Sequence, residues 1–268
     1  MVIVDDVKTK KSLGQHWLNN DFILDEICRV AELAGGGFIL EIGPGKGSLT
    51  KKLLDAGVHV YAVEFDDEAV RYMQGSFQHY LQAGELEIEQ ADIRKIDLRK
   101  FPVGFKVVAN IPYYLTSHLI HLISESQNPP DKAVLLIQKE VAERVCAKPG
   151  DMSILSVASQ FYWHVSKGVI VEPKYFTPPP KVDSQVIVLD KRDKPMFDVD
   201  QKIFFRLVKS GFSAKRKTLL NSLSGGLRIN KSEAESIIKL TSVSPARRPQ
   251  ELSMDEWFEL YKAFKGSL

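Results

Sequence analysis

The sequence predicts an α/β fold: a mostly parallel sheet covered by helices on both faces, followed by a small all-α C-terminal domain. Three observations carry this. Short apolar runs alternate with helical stretches over most of the chain, which is the pattern of repeated βαβ units. Several of those runs end in a glycine, an acid or an asparagine, and in such sheets ligands bind beyond the carboxyl ends of the strands. Strand signals cease after Leu189, and helical periodicity takes over from about Val199.

The elements follow in order. Phe38-Ile-Leu-Glu-Ile-Gly43 is an apolar run that reads as a strand buried on both faces. Ser48 to Asp55 reads as a helix closed by Gly57. Val58 to Glu64 is a second strand that stops at an acid, and a helix is expected from Asp66 to about Tyr80. Asp66 and Asp67 stand at its start, where the helix dipole favours them. Leu86 to Asp92, Phe105 to Asn110 and Lys132 to Gln138 are the third, fourth and fifth strands, and Ser117 to Ser124 is a short helix. Phe161 to Val171 and Gln185 to Leu189 read as two more strands, joined through the proline-rich Phe176-Thr-Pro-Pro-Pro-Lys181. Breaks in the C-terminal helices are expected at Ser224-Gly-Gly226 and at Pro245. The polar stretch Lys191 to Asp198 contains Pro195 and separates two expected domains, 1–195 and 196–268.

Length and composition bound the function. A chain of 268 residues, 44% hydrophobic, supports one sizeable core and a smaller appended domain. The net charge is only +2, yet from Gln201 onward thirteen Lys/Arg face six Asp/Glu. A basic tail on a mildly acidic body fits a polyanion partner, although a solvated basic face has the same composition. Cys28 and Cys146 lie far apart, without the spacing of a zinc site or a disulfide framework. No apolar run approaches the roughly 18 residues of a membrane span, and Met-Val-Ile-Val-Asp-Asp is not the start of a signal peptide. The expectation is a cytoplasmic chain with no membrane partner, no metal and no sign of an oligomer.

The chemistry-bearing motifs all fall at expected strand ends. Glu41-Ile-Gly-Pro-Gly-Lys-Gly47 places three glycines in a strand-to-helix turn, where backbone approaches a ligand closely. The turn lacks the Gly-Lys-Ser/Thr ending of a phosphate-cradling loop. Glu41 precedes Gly43 and Gly45 and suits a cationic amino-acid moiety, whereas a diphosphate would gain nothing from it. Glu64 is placed to accept ribose hydroxyls, which serves NAD and S-adenosylmethionine alike. Asp92 can accept the exocyclic amine of an adenine, with Ile93 capping the ring. Asn110-Ile-Pro-Tyr-Tyr114 is the most specific signal. The Asn110 oxygen and the carbonyl of Ile111 or Pro112 can hold the two N–H groups of an aromatic amine, and Tyr113 offers a flat stacking face. No strong base is needed if the leaving group is an activated sulfonium, so that catalysis is mostly positioning.

Asn-Ile-Pro-Tyr after a Glu-Ile-Gly-Pro-Gly turn resembles the rRNA adenine N6-methyltransferases. Three further stretches narrow the resemblance: Lys11-Ser-Leu-Gly-Gln-His-Trp-Leu18, Phe176-Thr-Pro-Pro-Pro-Lys-Val-Asp-Ser184 and Phe212-Ser-Ala-Lys-Arg-Lys-Thr-Leu-Leu-Asn-Ser-Leu223. Together they are similar to the small-subunit (16S) rRNA adenine N6,N6-dimethyltransferases of the KsgA/RsmA type over nearly the whole chain, the last two stretches separating it from Erm resistance enzymes. The resemblance implies a Rossmann-like class I methyltransferase domain with a seven-stranded sheet, S-adenosylmethionine as cofactor, and small-subunit rRNA in a pre-30S particle as substrate. It implies that His16 and Leu18 line the cofactor site with Gly43, Glu64, Asp92 and Asn110. Tyr113 and Phe176 would sandwich a flipped adenine, and Lys181, Lys215, Arg216 and Lys217, the last three on a basic helix, would contact RNA. Trp17 stands where the family usually has Phe.

Two rival classes leave features unexplained. An NAD-dependent oxidoreductase would use the glycine turn and Glu64 but has no use for Asn-Ile-Pro-Tyr, and no Tyr-x-x-x-Lys relay is visible. A non-catalytic RNA-binding descendant would keep the basic tail without the cofactor-end residues, which are present here. His118 and His121 lie three apart on one expected helix but have no third ligand, and read as helix-surface or core residues.

Overall fold

The computed structural model describes Lys10 and residues 14–214 and 216–267. Apolar runs flanked by turn residues form the strands. β1 (Trp17–Leu18) is followed by α1 (Asp21–Val30), β2 (Phe38–Ile42), α2 (Ser48–Asp55) and β3 (His59–Glu64). Then come α3 (Asp67–Ser76), α4 (Gln78–Ala83), β4 (Leu86–Gln90), β5 (Lys106–Asn110), α5 (Thr116–Glu125) and β6 (Lys132–Gln138). The order continues with α6 (Lys139–Val145), α7 (Ile154–Tyr162), β7 (Trp163–Val171), β8 (Phe176–Thr177) and β9 (Ser184–Lys191). Helices α8 (Gln201–Gly211), α9 (Leu219–Leu227), α10 (Lys231–Lys239) and α11 (Met254–Lys265) complete the described chain.

Seven strands form one sheet in the order β4-β3-β2-β5-β6-β9-β7. Neighbours from β4 to β6 are parallel and β9 runs antiparallel to β6. Buried on both faces, the central strands are nearly all apolar: Val107, Val108 and Ala109 of β5 and Ala133 to Leu135 of β6 are fully buried. Register decides what the sheet presents at its carboxyl edge. Ile42 pairs with Val63 and Glu64 pairs with Gln90, so the residues just beyond β2, β3 and β4 emerge side by side. A separate antiparallel ladder pairs Trp17 with Thr177 and Leu18 with Phe176, fastening the N-terminal segment to residues far along the chain.

The packing divides the chain into two units. One comprises residues up to Ala142 with His164–Lys191, and the other Glu143–Trp163 with everything from Arg192 onward. A single cut at residue 195 is therefore not where the chain divides. The segment carrying α7 belongs with the later helices because Val157 and Phe161 are core residues there, Phe161 stacking on Phe204 at 5.2 Å. Among the described residues, the second unit is helical apart from the first residue of β7, with Trp257, Leu260 and Leu207 fully buried among the helices. No helix among the described residues is long and apolar enough to cross a membrane.

Four local expectations are corrected. The helix from Asp66 to Tyr80 is two helices, because Phe77 leaves helical geometry (φ −112°, ψ 22°) and turns its ring against the glycine turn at Gly47. The third strand stops at Gln90, and Asp92 instead caps a short 3-10 turn, Ile93–Lys95. Phe161 lies in the last turn of a helix rather than starting a strand, since Ser153 and Ser156 form a reciprocal cap that commits Ile154–Tyr162 to α7. The chain does not break at Ser224-Gly-Gly226. α9 runs through it to Leu227, and Gly226 is there because its Cα faces Ser210: a Cβ would lie 2.6 Å from the Ser210 Cα.

Candidate active site

The glycine turn after β2 starts the site. Gly43, Gly45 and Gly47 all have positive φ, which L side chains rarely adopt. At Gly45 the requirement is also steric, because a Cβ would meet the Trp17 indole Nε1 at 2.7 Å. The indole therefore lies against the turn, with the Lys46 ammonium 4.7 Å from its ring centroid.

Glu41 sits in the same wall and is 1% exposed, and its Oε2 has no hydrogen-bond partner. Burial, with the neighbouring Glu64 carboxylate adding to it, pushes its pKa up to about 8. Glu64 ends β3, and its carboxylate accepts the backbone N–H groups of Gly45 at 3.1 Å, Phe65 at 2.8 Å and Asp66 at 2.9 Å. Burial raises its pKa against those three bonds. The carboxylate is thus rigidly held, and Asp66 beside it receives the Lys10 ammonium at 2.6 Å and the Gln15 amide at 2.9 Å.

Asp92 reaches the cleft already paired. Its carboxylate accepts Nε and Nη2 of Arg94 and the Arg94 backbone N–H, and this fork holds the carboxyl below the usual range. Ile93 beside it is buried and lines the cleft.

Asn110 ends β5. Its side-chain amide donates to the backbone carbonyl of His16 at 3.0 Å, which makes Nδ2 the committed donor and leaves Oδ1 as the acceptor. His16 is fixed in turn, with its Nδ1 2.7 Å from the Pro178 carbonyl and so carrying the proton. Pro112 starts a 3-10 turn, Tyr113–Leu115, and its carbonyl accepts the Leu115 N–H at 2.9 Å. The Tyr113 hydroxyl bonds Ser184 Oγ at 2.8 Å, burial raises its pKa, and its ring is stacked 5.7 Å from that of His16.

One cleft, open to solvent, is lined by His16, Leu18, Glu41, Gly43, Gly45, Glu64, Asp92, Ile93, Asn110, Pro112 and Tyr113. The remaining expected residues lie elsewhere. Phe176 is not in the cleft wall: it is 4% exposed, in the core, opposite Leu18 in the β1–β8 ladder. Lys181 is exposed outside the cleft. Arg216 and Lys217 are exposed, but on the turn between α8 and α9 rather than on a helix, because Thr218 caps α9. Lys215 lies outside the described residues.

Sequence reasoning passed over Phe65, Tyr114 and Arg94, all of which line the cleft. Phe65 is 58% exposed and Tyr114 62%. An aromatic directly after a strand-ending acid is the signal that points to Phe65, since it must emerge at the same edge.

The family model for ribosomal RNA adenine dimethylase matches residues 6–265. A protein named ribosomal RNA small subunit methyltransferase A from Dehalococcoides mccartyi strain CBDB1 is 36% identical over 265 residues, 97% of this chain and 90% of that protein. Its namesake from Alkaliphilus oremlandii is 38% identical over 262 residues, covering 94% and 90%. The crystal structure of a dimethyladenosine transferase from Plasmodium falciparum superposes with a TM-score of 0.78 at 28% identity, covering 94% of this chain and 98% of that one. That of the 23S rRNA methyltransferase ErmE has a TM-score of 0.75 at 24% identity, covering 93% and 99%, and shares the fold. The sheet order and these likenesses make the first unit a Rossmann-like class I methyltransferase fold. With the match spanning cleft and helical region alike, the chain belongs to the ribosomal RNA adenine dimethylase family.

Proposed function

We propose that this chain dimethylates the N6 amines of two adjacent adenosines near the 3′ end of small-subunit (16S) rRNA. In this reading it uses S-adenosylmethionine and acts in the cytoplasm, as a monomer, on a pre-30S particle. The observation that carries it is the orientation of Asn110, whose Oδ1 is left as an acceptor at the end of β5 inside the cleft.

The cleft suits that cofactor on its own chemistry. Glu41 offers a buried, unpartnered carboxyl oxygen to a cationic amine. A side chain at Gly45 is excluded, which keeps backbone at the ligand surface. The rigid carboxylate of Glu64 has one acceptor site left, on Oε2, for a ribose hydroxyl. Ile93 lines the cleft for the adenine ring, with Asp92 beside it in the grip of Arg94, and Phe65 supplies a second apolar face. When bound, the cofactor supplies a methyl group activated on a sulfonium.

The chain's own part is positioning. The target amine is a weak nucleophile because its lone pair is delocalised into the ring. Asn110 Oδ1 accepts one N–H, and the carbonyl of Ile111 or of Pro112, which keeps one lone pair beyond its bond to Leu115, accepts the other. Together they hold the nitrogen with its lone pair forward. Tyr113, tied to Ser184, stacks the flipped base. Phe176 contributes from behind, by seating Leu18 and hence the N-terminal segment. Placement of this kind accounts for up to about 7–11 kcal/mol of a barrier.

The relatives named for the small subunit are 36% and 38% identical, whereas ErmE at 24% shares only the fold, which favours the small subunit as substrate. The test is transfer of labelled methyl to small subunits from a strain lacking the modification, followed by nucleoside analysis. N6,N6-dimethyladenosine is the expected product with wild type. Asn110→Ala is expected to lose methyl transfer with an unchanged melting temperature, and retained transfer would sink the mechanism.

A further inference from the structure

Residues 92–100 read Asp-Ile-Arg-Lys-Ile-Asp-Leu-Arg-Lys, the same Asp-x-Arg-Lys turn twice. Both copies fold alike. Asp92 and Asp97 each cap a 3-10 turn, each accept the backbone N–H two residues on at 3.0 Å, and each grip the guanidinium of that residue through Nε and Nη2. A guanidinium held this way keeps further N–H donors, and its orientation is already set. Exposed ion pairs within a turn add little to stability, so folding alone does not account for two of them on one face.

Their location supplies a reason. Arg94 lines both the cleft and a neighbouring shallow, open groove, and Arg99 lines the groove. The facing wall is α5, with His118 and His121 exposed along it. Of the acids on the groove, Asp97 holds Arg99, and Glu125 lies 3.2 Å from His121 Nδ1, an ion pair only when that imidazole carries a proton. Tyr114, 62% exposed, stands at the cleft mouth just before α5, beside Arg94. An aromatic platform followed by oriented cations is the arrangement that single-stranded nucleic acid uses, bases on the ring and phosphates on the cations.

We propose that this groove is the track of the single-stranded RNA flanking the target adenine, with the neighbouring base stacked on Tyr114 and backbone phosphates on Arg94 and Arg99. It rests on the RNA-methylating reading above and adds to it a second RNA-binding surface, on the methyltransferase unit itself.

The test measures binding and methylation of unmodified small subunits at several salt concentrations, with binding of S-adenosylhomocysteine as control. Arg99→Gln is expected to raise KM for the subunits and to flatten the plot of log affinity against log salt by about 0.7 for each phosphate it no longer neutralises. Its affinity for S-adenosylhomocysteine and its melting temperature should match wild type, and Arg99→Lys should restore the slope. Tyr114→Ala is expected to weaken subunit binding about tenfold, with Tyr114→Phe restoring it. An unchanged slope and KM in Arg99→Gln would overturn the track, as would wild-type binding in Tyr114→Ala. If wild type neither binds nor methylates small subunits while still binding S-adenosylhomocysteine, the RNA reading itself fails, and the track with it.

Discussion

Glu41 shows how much one buried carboxyl can decide. Its pKa rises from the usual 4.5 to about 8 because the group is withdrawn from water. Between those values the folded protein holds a proton that the unfolded chain has released. The fold therefore binds more protons there, and the stability tied to this group falls as pH rises from about 4.5 to about 8. Glu41→Gln removes that dependence. The variant is expected to melt above wild type at pH 8 and to converge with it toward pH 4.5, as thermal denaturation across pH will show. It should also bind S-adenosylhomocysteine more weakly. Wild type should release a proton on binding near pH 7, measured as buffer-dependent heat, and the variant should not. Equal melting curves for the two proteins at all pH values would mean that Glu41 is ionised in the fold.

At the scale of elements, neighbouring glycines in α9 separate two roles that are identical in sequence. Around Gly225 there is open space, while a Cβ on Gly226 would run into the Ser210 backbone at 2.6 Å. Gly225→Ala is expected to stabilise by about 0.5–1 kcal/mol, the helix-propensity difference. Gly226→Ala should cost about 1–3 kcal/mol, because α8 and α9 must separate. Each kcal/mol moves the melting temperature by about 4–8 °C in a domain of under a hundred residues and by less in a larger one, so opposite shifts are the readout. The turn chemistry of the pair pointed to a break, and propensity was overridden by close helix packing. The break at Phe77 had no such local mark, since it arises from an aromatic ring turning inward against Gly47.

For the whole molecule, charge and architecture divide the labour between two units. The first carries the cleft, and the second carries the exposed Arg216 and Lys217 on a turn between two helices. The Lys215/Arg216/Lys217 triple alanine is expected to weaken small-subunit binding and to flatten its salt dependence by about 0.9 for each duplex phosphate left unneutralised. Weaker binding with the slope unchanged would assign these residues a role other than phosphate binding.

Local chemistry made much of this protein legible in its sequence. Glycine turns, strand-ending acids and Asn-Ile-Pro-Tyr announce themselves because φ preferences, strand periodicity and side-chain chemistry act over a few residues. Those signals placed the cleft residues at one edge of the sheet, and the register of β2, β3 and β4 brings them together there. Tertiary structure decided what depends on distant partners. Asn110 is oriented by a carbonyl 94 residues away. Phe176 is drawn into the core by pairing with Leu18. The segment 143–163 joins the later helices because Phe161 finds Phe204 there. In each case the deciding quantity is which atoms meet after folding, and no window of neighbouring residues contains it.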